Sequence, residues 1–170
     1  MTFWGFTMLL AFAALIVAGQ AWQRSNDAKR AVAKLAAGGI VGTKVREQLR
    51  EFSITPPSPE VKAGTVTFDT SNAGAITHEM VIVHSPTTGA LPVVTEPGGE
   101  RAVGAIDEEA IADADIVGET GDVDPGKTVT KHFKLTAGNY VMFCNIDTKA
   151  PDGTVTNHYT RGMVATLTAR

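Results

Sequence analysis

Hydrophobic and polar positions divide the chain into three unlike stretches. Residues 1–23 carry no charged side chain, and Phe3 to Trp22 is almost continuously apolar, with only Thr7 and Gln20 clearly polar. Twenty helical residues rise about 30 Å, the thickness of a bilayer's hydrocarbon core. The segment is therefore expected to be a transmembrane anchor or uncleaved signal, with Trp4 and Trp22 near its ends, where interfacial aromatics are favoured. A signal cleaved after Ala21 is the competing reading, but no lysine or arginine precedes the apolar run. Residues 24–40 follow as a basic helical linker, rich in Ala and Lys and ended by Gly38-Gly39.

From about Ile40 onward the pattern becomes β-like. Phe52 to Thr55 alternates before Pro56-Pro57, and Val61 to Thr70 puts Val66 and Phe68 on one face. His78 to His84 is a third run, in which Met80 and Ile82 share the parity of His78. Thr128 to Leu135 and Tyr140 to Cys144 are two more, joined by a turn at Gly138-Asn139, and Met163 to Thr168 closes the chain. Short strands with regular turn signals predict an all-β sandwich or barrel over residues 41–170.

Two segments break the rhythm. Residues 96–124 hold ten acids against one base, Arg101, and are expected to be a solvated acidic insertion with a helical turn or two at Asp107 to Ala114. The same acids would suit docking of a cationic partner. Residues 145–157 contain Ala150-Pro151-Asp152-Gly153-Thr154, a turn signal because Pro presets φ and Gly accepts a positive one. Flanked by Ile146-Asp147-Thr148 and Val155-Thr156-Asn157, this turn predicts a small hairpin insertion whose ends stay close.

Composition narrows the function. Seven bases against three acids make residues 1–52 net +4, and eight against fifteen make residues 53–170 net −7. The whole chain is −3, which argues against a nucleic-acid partner. The single cysteine, Cys144, excludes a disulfide framework and any site needing two thiolates. Alone, Cys144 reads as a buried small hydrophobe. Its company changes that: His158 and Met163 follow it, and His78 begins a strand whose inward face continues through Met80. Two imidazoles, a thiolate and a weak thioether form a soft set suited to copper, whereas zinc gains little from a thioether. A thiol enzyme using Cys144 as nucleophile and His158 as base lacks an orienting group and leaves Met163 unexplained. His84 lies about 20 Å further along its strand from His78, and His132 falls in a surface-like run, so neither is a ligand candidate.

With these residues the chain resembles the blue copper proteins, or cupredoxins, particularly the plastocyanin-like and sulfocyanin-like domains. The resemblance covers residues 41–170. It rests on Val61-Lys62-Ala63-Gly64-Thr65-Val66-Thr67-Phe68 leading to Thr77-His78-Glu79-Met80, on Gly138 to Cys144, and on His158-Tyr159-Thr160-Arg161-Gly162-Met163. It implies a Greek-key β-sandwich and one mononuclear type 1 copper held by His78, Cys144, His158 and Met163. It also implies a single-electron carrier rather than an enzyme, passing electrons between protein redox partners, with the edge of His158 beside Tyr159 as the electron port. Copper storage or delivery, and a metal-free cupredoxin-like interaction module, are the alternatives. Two departures stand out. Thirteen residues separate Cys144 from His158 where most relatives have only a few, and Glu79 stands where many have asparagine. That carboxylate would either lower the potential or face solvent.

Location follows from the first stretch. The basic residues after the anchor would place the carboxyl side in the cytoplasm by the positive-inside rule. The copper chemistry favours the opposite arrangement, a single-pass protein of the cell membrane with its copper domain on the extracytoplasmic, periplasmic side.

Overall fold

A computed structural model describes residues 43–96 and 101–170. The anchor expected at 1–23 and the linker expected at 24–40 lie outside the described residues, among which no helix is long and apolar enough to cross a membrane. The described chain forms eleven strands: β1 (Thr43–Arg50), β2 (Ser53–Thr55), β3 (Glu60–Val61), β4 (Gly64–Asn72), β5 (Val81–His84), β6 (Ile116–Glu119), β7 (Thr128–Leu135), β8 (Gly138–Phe143), β9 (Asp147–Lys149), β10 (Val155–Asn157) and β11 (Val164–Ala169). One sheet runs β2-β1-β4-β7, a second runs β3-β11-β8-β5-β6, and β9 and β10 form a separate antiparallel pair.

Strand β1 is an element the sequence pattern hid. Its inward row is Val45, Glu47 and Leu49, while Lys44, Arg46, Gln48 and Arg50 point outward. A carboxylate in the buried row and three bases in the outer one disguise the period of two. The strand pairs in parallel with β4, setting Val45 opposite Phe68 and Glu47 opposite Thr70. Between the sheets, Leu49, Val66, Phe68 and Leu135 meet Ile82, Tyr140, Met142 and Leu167 in one buried cluster. Burying a side chain of that size stabilises by roughly 1.5–3 kcal/mol.

The His78 run is shorter than its alternation suggested. Regular strand begins at Val81, and His78 makes only an isolated bridge with Val123, donating its N–H to Val123 O at 3.2 Å and accepting at 2.7 Å. Both faces of β5 are buried, because the acidic insertion is not a solvated excursion. Ile106 and Ile111 from that segment pack on Val81, Val83, Val141 and Phe143, covering the outer face of the second sheet. Its few apolar residues do this while most of its acids face water. Within it, Glu108–Ala110 forms a single 3₁₀ turn and β6 adds an edge strand to β5.

The turn expected at Gly138-Asn139 is also displaced. These residues open β8, and β7 and β8 lie in different sheets, so Thr136-Ala137 carries the chain across the sandwich. That crossing delivers Phe143 and Cys144 to the end of the second sheet.

Candidate metal centre

Three separate segments bring His78, Cys144 and His158 together. His78 sits in the loop before β5, fixed by its bridge to Val123. Cys144 follows β8 directly, and His158 follows β10. His78 Nδ1 lies 3.2 Å from His158 Nδ1, which lies 3.3 Å from Cys144 Sγ. The three donor atoms all fall within 4.8 Å of one another, and all three residues are 0% exposed. Met163 is equally buried and shares their backbone bonding: its carbonyl accepts from Cys144 N–H and its N–H donates to His158 O, each at 3.1 Å.

The thirteen-residue insertion keeps its ends together. His158 N–H donates to Ile146 O at 3.0 Å, and Asn157 Nδ2 donates to Asn145 O and Asp147 Oδ1, both at 2.9 Å. Strands β9 and β10 pair Asn157 with Asp147 and Val155 with Lys149. The turn between them closes with Gly153 at φ +87°, a conformation that disfavours any side chain.

The hairpin also overturns one expectation. His158 has no exposed edge to serve as a port. Thr148 Oγ1 stands 2.9 Å from its Nε2, and the Phe52 ring packs 5.0 Å from the imidazole, with the Arg161 guanidinium 5.3 Å over Phe52.

No family model and no curated protein matches the chain. Solved structures do. Auracyanin B aligns over 75% of this chain and 88% of its own, with 20% identity and a TM-score of 0.50. The fold is that of the cupredoxins. An auracyanin from Roseiflexus castenholzii (22% identity, 76% and 98% covered, TM-score 0.46) is also similar. So is auracyanin A from Chloroflexus aurantiacus, a blue copper protein (18% identity, 76% and 99% covered, TM-score 0.44).

Within this cupredoxin fold, burial sets the charges. It pushes His158 down to about 4, helped by neighbouring His78, and lowers His78 against the opposing pull of Glu51. Both rings are therefore neutral at pH 7, each with one nitrogen free to act as a donor. Burial pushes the Cys144 thiol up to about 11, outweighing hydrogen bonds from the Glu79 and Ile146 amides. A sealed thiol with a raised pKa is the opposite of an activated nucleophile. A cation in the cage would instead stabilise the thiolate. Two imidazoles and a thiolate, with the buried Met163 bonded through its backbone to Cys144 and His158, are a set that fits copper.

The other histidines lie elsewhere. His84 ends β5 half-exposed, 3.6 Å from Asp115, and His132 pairs with Thr67 on the surface. Glu79 is half-buried, and its carboxylate bonds to Asn145 rather than to His78. Its carboxylate accepts the Asn145 N–H at 3.1 Å while its own N–H points at Cys144 Sγ from 3.4 Å.

Sequence reasoning gave no role to Thr148, Phe52, Asn145 or Glu51. Asn145 pins the acidic insertion beside Cys144, accepting from Ile106 N–H at 3.0 Å and donating to Ile106 O at 2.9 Å. Glu51 Oε1 accepts from the amides of Ala75 (2.6 Å) and Ile76 (3.0 Å). Burial alone would raise the Glu51 carboxyl, but hydrogen bonds from its own amide, Ile76 and Ala75, together with nearby His78, hold it at about 2. No local sequence signal marks any of the four.

Proposed function

We propose that the chain is a type 1 copper protein carrying single electrons between protein partners, in which His78, Cys144, His158 and Met163 would hold the copper. The observation that carries this reading is the buried triad of nitrogen, nitrogen and sulfur donors, converging from three segments onto one point. Bound there, copper would supply a one-electron couple between Cu(I) and Cu(II). The chain's own part is to hold the donors in one arrangement for both states, which the bonds among Cys144, Met163 and His158 favour.

Delivery of copper would use the same donors, but it needs a ligand that an acceptor can reach. Full burial of all three residues, with Thr148 and Phe52 over His158, favours retention. A metal-free module would leave a thiol and two imidazoles buried with only their mutual contacts and Thr148 to offset desolvation. The test is voltammetry with a Cu(I) chelator present. A reversible one-electron wave with copper kept in both states is expected, and rapid loss of Cu(I) would make the protein a delivery agent.

The reading extends to location and partners. The uncharged 1–23 stretch supports a single-pass anchor with the copper domain on the extracytoplasmic side, which protease accessibility in whole cells would check. The acids of 96–124 support a cationic redox partner, and its association should slow as salt rises. Since His158 is covered, electrons would enter through Phe52 or the 145–157 hairpin.

A further inference from the structure

The outward nitrogens of the two imidazoles meet different groups. His158 Nε2 has the Thr148 hydroxyl at 2.9 Å. His78 Nε2 faces the Glu51 carboxylate at 3.4 Å, longer than a well-formed hydrogen bond, and among the described residues it has no hydrogen-bond partner. Glu51 is not a wandering surface side chain. The amides of Ala75 and Ile76 clamp its Oε1, so the residue at the end of β1 is fastened to the loop that presents His78. Gly74 leaves the space for this, because a Cβ there would collide with both carboxylate oxygens of Glu51.

The geometry points to Glu51 as the positioning residue of His78. Its carboxylate keeps the ring proton on Nε2 and so leaves the Nδ1 lone pair facing Cys144 and His158. Among the described residues no other polar group meets Nε2 to select a tautomer, and the wrong one would aim an N–H into the cage. The inference rests on the copper reading for its second consequence. An anionic partner makes the imidazole a stronger donor, which helps Cu(II) more than Cu(I) and lowers the potential.

Two arms test it. In the metal-free protein, labelled ring nitrogens report the tautomer of His78 by NMR. Wild type is expected to hold the proton on Nε2. Glu51→Ala should give a mixture, and Glu51→Gln should restore the Nε2–H form, because its amide oxygen can stand where the carboxylate oxygen stood. Gly74→Ala should behave like Glu51→Ala, since the added methyl displaces the carboxylate while leaving Glu51 itself in place. In the copper-loaded protein, loss of the carboxylate should weaken Cu(II) binding by roughly 10- to 100-fold. Each tenfold loss selective for Cu(II) reads as a rise of about 59 mV in potential. Wild-type ring-nitrogen shifts in both Glu51→Ala and Gly74→Ala would overturn the inference. If wild type takes up no copper, the proposed function fails while the tautomer arm still decides the role of Glu51.

Discussion

Glu47 offers a test of the fold that needs no metal. Its side chain is 1% exposed in the inner row of β1, between Val45 and Leu49. Oε1 accepts the Thr70 hydroxyl, and among the described residues Oε2 has no partner. Burial drives the carboxyl up to about 7 from 4.5, only partly offset by the Thr70 bond. The folded state therefore binds this proton more tightly than the unfolded chain. The resulting stabilisation is complete below pH 4.5 and disappears as pH rises through 7. At 1.36 kcal/mol per unit, a shift of this size makes the ionised protein about 3 kcal/mol less stable. Glu47→Gln keeps an oxygen for Thr70 and removes the charge. Urea unfolding of the metal-free protein at pH 4.5, 6 and 8 should show the variant gaining on wild type with pH, by about 3 kcal/mol at pH 8. Taking the difference between the two proteins removes the opposite slope from His78 and His158, whose lowered values cost stability as pH falls below 6.5. Parallel pH profiles would refute the burial of Glu47 and with it the register of β1 on β4.

The centre makes two further predictions. Because the Cys144 thiol sits at about 11 and both imidazoles are neutral, Cu(I) binding at pH 7 should release close to one proton per ion. A pH-stat titration reads this, and no release would remove Cys144 from the ligand set. Thr148→Val should leave His158 Nε2 buried without its hydroxyl partner and cost about 1–3 kcal/mol in urea unfolding. Unchanged stability would mean that the hairpin does not cap His158.

What the sequence revealed depended on how rare each residue type is. Cys144 and His158 stood out in the sequence because a lone thiol followed by an imidazole and a thioether has few chemical uses, and the structure brings both together with His78. The small hairpin was legible because Pro151 and Gly153 constrain the backbone. Strand β1 was not, since its alternation is written in Lys44, Arg46 and a buried Glu47 rather than in apolar residues. The packing of Ile106 and Ile111 was lost among ten acids. Glu51 reaches His78 only because β1 and the 74–78 loop end side by side, a proximity created by the parallel pairing of β1 with β4. No local pattern encodes that. The covering of His158 by Thr148 is likewise a consequence of where the hairpin folds back.

The most direct test of the central claim is a visible spectrum recorded as Cu(II) is added to the metal-free protein. An intense thiolate-to-copper band that saturates at one ion per chain and is absent in Cys144→Ser is the predicted result. A colourless wild-type protein, or a band that survives in Cys144→Ser, would contradict it.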